Sequence, residues 1–134
     1  LKLNKIEGIK IFALIEISIG GLTLSSTIAS ILLHTSIKPL NILTFVLITS
    51  LISLFIGFGL LFKKSLAVGL LRYFAFSIIL TKILIFAKII YLNGALETNI
   101  PADIKNFVSI IYHSLILWYF NQKNIKLDFE KTKR

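Results

Sequence analysis

Four long apolar stretches fill most of this chain: Ile11–Leu33, Leu40–Phe62, Leu66–Leu92 and Phe107–Phe120, the last extended upstream to Pro101. A helix needs roughly 20 apolar residues to cross a hydrocarbon core about 30 Å thick, and each stretch meets or approaches that length. Hydrophobic residues make up 56% of the 134, and the mean hydropathy is +0.88. A single water-soluble core of this size cannot hide so much apolar surface, so lipid must cover the excess. The chain is therefore expected to be one all-α integral membrane domain over residues 1–134. Its spans are placed at about 9–33, 39–62, 66–92 and 101–120, followed by a polar tail over 121–134. The first stretch is longer than a signal-peptide core and has no small-x-small cleavage site, so it is read as a span.

Charge orients these spans. The net charge of +9 would point to nucleic acid in a soluble protein, but no basic face with interleaved exposed aromatics lies outside the apolar stretches. Counted over short flanks, the residues assigned to one side are Lys2, Lys5, Lys10, Lys63, Lys64, Arg72, Lys123, Lys126, Lys131, Lys133 and Arg134. The other side holds Lys38 and Lys105, with Glu97 and Asp103 nearby. Eleven against two is a strong positive-inside bias, which predicts a cell-membrane protein (plasma or inner) with both termini cytoplasmic. The connections fit an antiparallel four-helix bundle: His34–Lys38 before Pro39, the tight Lys63–Lys64–Ser65 turn, the Asn93–Gly94 turn dipeptide, and Pro101 opening the last helix.

Helices in lipid associate through small residues and buried polar groups. Gly21 and Ser25 of the first stretch, Gly57 of the second and Gly69 of the third are the candidate packing positions, within a monomer in preference to a dimer seam. The chain has no cysteine, which removes disulfides and thiolate metal sites. There is no GxSxG elbow, HExxH pair or phosphate loop, and His34 and His113 lie at different depths. No enzyme, cofactor or metal site is expected.

Chemistry can reside only in the ionisable residues inside the spans, which are costly there and mark functional sites by default. Glu16, Arg72 and His113 each lie roughly 10 Å below the cytoplasmic end of their helices at a rise of about 1.5 Å per residue. An acid, a guanidinium and an imidazole at one level form a candidate intramembrane cluster. Glu16–Arg72 would be its central pair, with Tyr73, Tyr112 and Ser114 adding hydrogen bonds. Snorkelling of Arg72, or a purely structural ion pair, is the competing reading. Lys82 falls near the middle of the third stretch, where it either snorkels or meets a partner protein.

Two segments, Gly8-Ile-Lys-Ile-Phe-Ala-Leu-Ile-Glu16-Ile-Ser-Ile-Gly-Gly21 and Gly57-Phe-Gly-Leu-Leu-Phe-Lys63-Lys64 with Ala67–Gly69, resemble small uncharacterised prokaryotic four-span membrane proteins. That resemblance implies the four-helix architecture and no activity. Glu16 in a first helix is also similar to the small multidrug resistance transporters, where such a glutamate exchanges protons for cationic drugs. Their proline- and tyrosine-rich loop is missing, and Arg72 and Lys82 would repel cations. Gly69-Leu-Leu-Arg72-Tyr73 resembles a motif of dual-topology fluoride channels, in a different helix.

Two functions follow as expectations. The first is a non-catalytic accessory or interaction subunit, partnered by the lipid bilayer and by other membrane subunits or further copies of itself. The second is a small proton-coupled or ion transporter or channel using Glu16, Arg72 and His113.

Overall fold

In lipid a backbone must satisfy its own N–H and C=O groups, and apolar runs without internal proline let a helix do so. The computed structural model describes residues 5–36, 38–90 and 101–131 and has no strand among them. Its helices are α1 Lys5–Leu32, α2 Leu40–Leu61, α3 Ser65–Phe86, α4 Ala102–Phe120 and α5 Lys123–Lys131. Three segments are long and apolar enough to cross a membrane: Glu7–Leu32, Leu40–Leu61 and Ser65–Phe86. The sequence leads one to expect four. α4 stands apart because its 19 residues include Asp103, Lys105, Asn106 and His113.

The ends of α1, α2 and α3 share one device. His34, Lys63 and Lys88 adopt φ of 51°, 52° and 58°, and the next N–H in each case reaches back five residues. Thr35 bonds Ser30 at 3.0 Å, Lys64 bonds Gly59 at 2.9 Å, and Ile89 bonds Leu84 at 3.0 Å. These are Schellman terminations built without glycine. The third one corrects a boundary: the apolar stretch expected to run helically to Leu92 turns at Lys88, so α3 stops at Phe86. The expected Asn93–Gly94 turn lies outside the described residues. Pro39 and Pro101 stand immediately before α2 and α4 and start each helix with no side-chain cap.

α1 lies along α2, and α3 along α4; the two pairs are joined through α2 and α3. Neighbours run antiparallel. A Cβ at Gly20 would fall 2.8 Å from the Ser50 carbonyl, one at Gly57 3.0 Å from that of Ala13, and one at Gly59 2.6 Å from Ala67 Cβ. The buried core gathers at one end of the molecule, where Ile9 and Ala13 of α1 meet Ile56 and Leu60 of α2, Leu71 of α3, and Ile116 and Phe120 of α4. Within the polar tail expected over 121–134, Lys123–Lys131 form α5. Its one-turn-apart Ile125 and Phe129 are buried in the same core. α1 and α4 also meet there through rings, with Phe12 centred 5.0 Å from Tyr119 and 5.7 Å from Phe120. Outward-facing side chains such as Leu22, Phe55, Phe76 and Trp118 are more than 60% exposed, which in an isolated molecule is a surface for lipid.

Candidate functional site

Away from that packed end the two helix pairs leave a cavity of about 530 Å³ between them. Glu16 of α1, Ser53 of α2, Phe74 of α3, and Tyr112 and His113 of α4 line its deep end, next to the core. From there the lining follows α2 to Phe45, α3 to Ile85 and α4 to Ile104, close to the other ends of those helices. The walls are mostly apolar. Three wall hydroxyls are turned back on their own helices: Thr49 donates to the Phe45 carbonyl at 2.9 Å, Ser50 to that of Leu47 at 3.0 Å and Thr81 to that of Ser77 at 2.8 Å.

Glu16 sits at the deep end with 1% of its surface exposed. Its carboxyl accepts a hydrogen bond from the Tyr112 hydroxyl at 2.9 Å and another from the Ser53 hydroxyl, which also lies 3.0 Å from the Glu16 main-chain carbonyl. One side chain thus ties α1 to α2 and to α4. The local reason is spacing: Ser53 precedes Gly57 by four residues, so both fall on the α2 face that α1 approaches closely.

His113 is 8% exposed. Its Nδ1–H donates to the Ser109 carbonyl at 2.7 Å, with the Ser109 hydroxyl at 3.3 Å. That bond puts the proton on Nδ1 and leaves Nε2 as an acceptor without a partner among the described residues. The edges of Tyr112 and Phe74 flank the ring at centroid distances of 5.1 and 6.1 Å. Roughly 10 Å along α4 towards the cavity's other end, Lys82 donates from Nζ to Asn106 Oδ1 at 2.9 Å. Lys105 lines the cavity at this level too.

Of the expected cluster, then, Glu16 and His113 share the cavity floor and Arg72 does not line it. The anticipated Glu16–Arg72 pair is not formed: the carboxyl has two hydroxyl partners, while Arg72 is half-buried with Nε enclosed and lacking a hydrogen-bond partner among the described residues. Tyr73 and Ser114 point outward. Lys82, expected either to snorkel or to meet a partner protein, lines the cavity. Among the packing positions, Gly57 is in tight contact, whereas Gly21 makes only ordinary contact, Gly69 has nothing within 4 Å, and Ser25 is exposed; the close approach in α1 is at Gly20. A serine and an asparagine carry no charge signal, so nothing in the sequence marks Ser53 and Asn106 as the hydrogen-bond partners of Glu16 and Lys82. No group of three or more metal-ligating side chains occurs among the described residues. Comparison with family models, with curated proteins and with solved structures finds no match.

Proposed function

We propose that this protein is a small proton-coupled transporter that crosses the bilayer four times, with α4 as the fourth span and both termini cytoplasmic. The observation that carries this reading is the cavity with a carboxyl and an imidazole, each more than nine-tenths buried, on its floor. A subunit whose helices served only to fill space would gain by closing such a gap. The packed end, flanked by Lys10, Lys63, Lys64, Lys123, Lys126 and Lys131, is the cytoplasmic one by the positive-inside rule, and the cavity then reaches outward. At 19 residues α4 is about 28 Å long, close to the hydrocarbon thickness, and its polar side chains Asn106 and His113 are buried in protein.

The hydrogen-bond arithmetic at Glu16 supports proton handling. Ser53 has one proton and two Glu16 oxygens beside it. With the carboxyl protonated, its O–H donates to Ser53, Ser53 donates to the Glu16 carbonyl, and Tyr112 donates to the second carboxyl oxygen. Every proton has an acceptor. With the carboxyl ionised, Ser53 turns to it and releases the carbonyl. Both states are accommodated without moving a helix, which is what a reversible proton site requires.

The test is proton flux. Purified protein in vesicles of native-membrane lipid, with a trapped pH dye and an imposed potential, should acidify the lumen, and Glu16→Gln should abolish this. No flux from the wild type, or unchanged flux from Glu16→Gln, rejects the transporter.

The accessory-subunit reading has one observation in its favour, the enclosed Arg72 Nε, which has no partner among the described residues and which an acceptor from another chain would satisfy. Recovery of the protein from mild detergent with a stoichiometric second subunit would support it.

A further inference from the structure

The floor of the cavity explains a proton site but not its walls. Phe45, Val46, Phe74 and Ile78 offer an apolar volume far larger than a proton needs, and about 530 Å³ lies within the range of roughly 300–1,000 Å³ typical of a site for one small molecule. Two cations, Lys82 and Lys105, line the wall about 10 Å above the floor. The protein acceptor seen for Lys82 Nζ is a neutral amide oxygen, Asn106 Oδ1. An ammonium in an apolar wall gains most from an anion delivered to it, because charge-assisted hydrogen bonds are about twice as strong as neutral ones.

Building on the transporter reading, we infer that the cavity binds a single-chain anionic amphiphile of the fatty-acid type, its carboxylate on Lys82 beside Asn106 and Lys105 and its chain along the apolar walls. The level of Lys82 fits such a ligand. It lies four residues before the C-terminal end of α3, and Lys105 lies three residues after the start of α4, so the headgroup would sit just inside the cavity's mouth.

A photoactivatable hexadecanoic acid carrying a mid-chain diazirine tests this in phosphatidylcholine vesicles containing the full chain. Its methyl ester and its primary-amine counterpart serve as matched probes. The acid should label the cavity segments 45–53 and 74–85 about tenfold more than the ester at equal membrane content, the scale of one charge-assisted hydrogen bond. Lys82→Gln should remove that preference and Lys82→Arg should keep it. Equal labelling by acid and ester, a preference for the amine, or adducts confined to outward residues such as Phe58 and Trp118 would overturn the inference. So would displacement of the acid by a two-chain phosphatidic acid but not by palmitate. The acid–ester comparison uses only wild-type protein, so a misfolded variant cannot mask the answer. Because labelling requires no flux, loss of the acid preference and loss of proton transport would be told apart.

Discussion

Glu16 is held by hydroxyls and not by a cation, and this sets what its neighbours should do when changed. Ser53→Ala and Tyr112→Phe each take one donor from a carboxyl that is 1% exposed. Each should cost about 1–3 kcal/mol of stability, the penalty for a buried polar atom left without its partner. Denaturation in detergent, followed by circular dichroism, measures it. Arg72→Gln should cost less than either, since its enclosed Nε has no bond to lose. At this scale the sequence was half legible. A carboxyl and an imidazole at one depth are visible from helical rise alone, and both reach the cavity floor. Depth does not give azimuth, however. Arg72 follows the core residue Leu71 around α3 and faces a different direction from Phe74, which lines the cavity. Hydroxyl partners such as Ser53 carry no signal in an apolar run rich in serine and threonine.

Among the helices, the tightest backbone approach is between α1 and α2, at Gly20 and Gly57. Gly57→Val places a Cβ 2.6 Å from the Ile17 side chain and 3.0 Å from the Ala13 carbonyl, so the pair must separate. A loss of about 1–3 kcal/mol is expected from such overpacking. Gly69→Ala, with open space around it, should instead stabilise α3 by up to about 1 kcal/mol through helix propensity. A thermal unfolding series on the two variants should therefore show shifts of opposite sign. At the other extreme of polarity, α5 is tied to the core by two side chains. Phe129→Ala should cost about 3 kcal/mol, while exposed Leu127→Ala should stay within about 0.5 kcal/mol of wild type. Proteolysis of the tail reports both. The bounds of α2 and α4 follow from the apolar runs, whereas α1 begins at Lys5, ahead of its run, and α3 stops short at Phe86. A left-handed lysine is not a stop signal that composition reveals, because glycine normally fills that position.

For the molecule as a whole, the prediction concerns how often the chain crosses the bilayer. The native chain contains no cysteine, so a single introduced one reports its own side unambiguously. A membrane-impermeant maleimide added outside intact cells should label Thr35→Cys and Asp103→Cys but spare Lys63→Cys and Lys123→Cys until the membrane is opened. Labelling of Lys123→Cys from outside would leave α4 short of a full crossing. Three helices are long and apolar enough to cross a membrane. The proposed fourth crossing, α4, carries Asn106 and His113, which the structure turns inward.

The stack of Phe12, Tyr119 and Phe120 beneath Glu16 has a mechanical consequence. It is a plug. A molecule resting on the cavity floor can retreat the way it came, but onward passage needs those rings to part and α1 and α4 to swing away from each other. The Tyr119 phenol lies directly over Gly8, where a Cβ would meet its hydroxyl, so α1 and α4 come close at this point. A one-sided vestibule would become a two-sided carrier by moving a single aromatic latch.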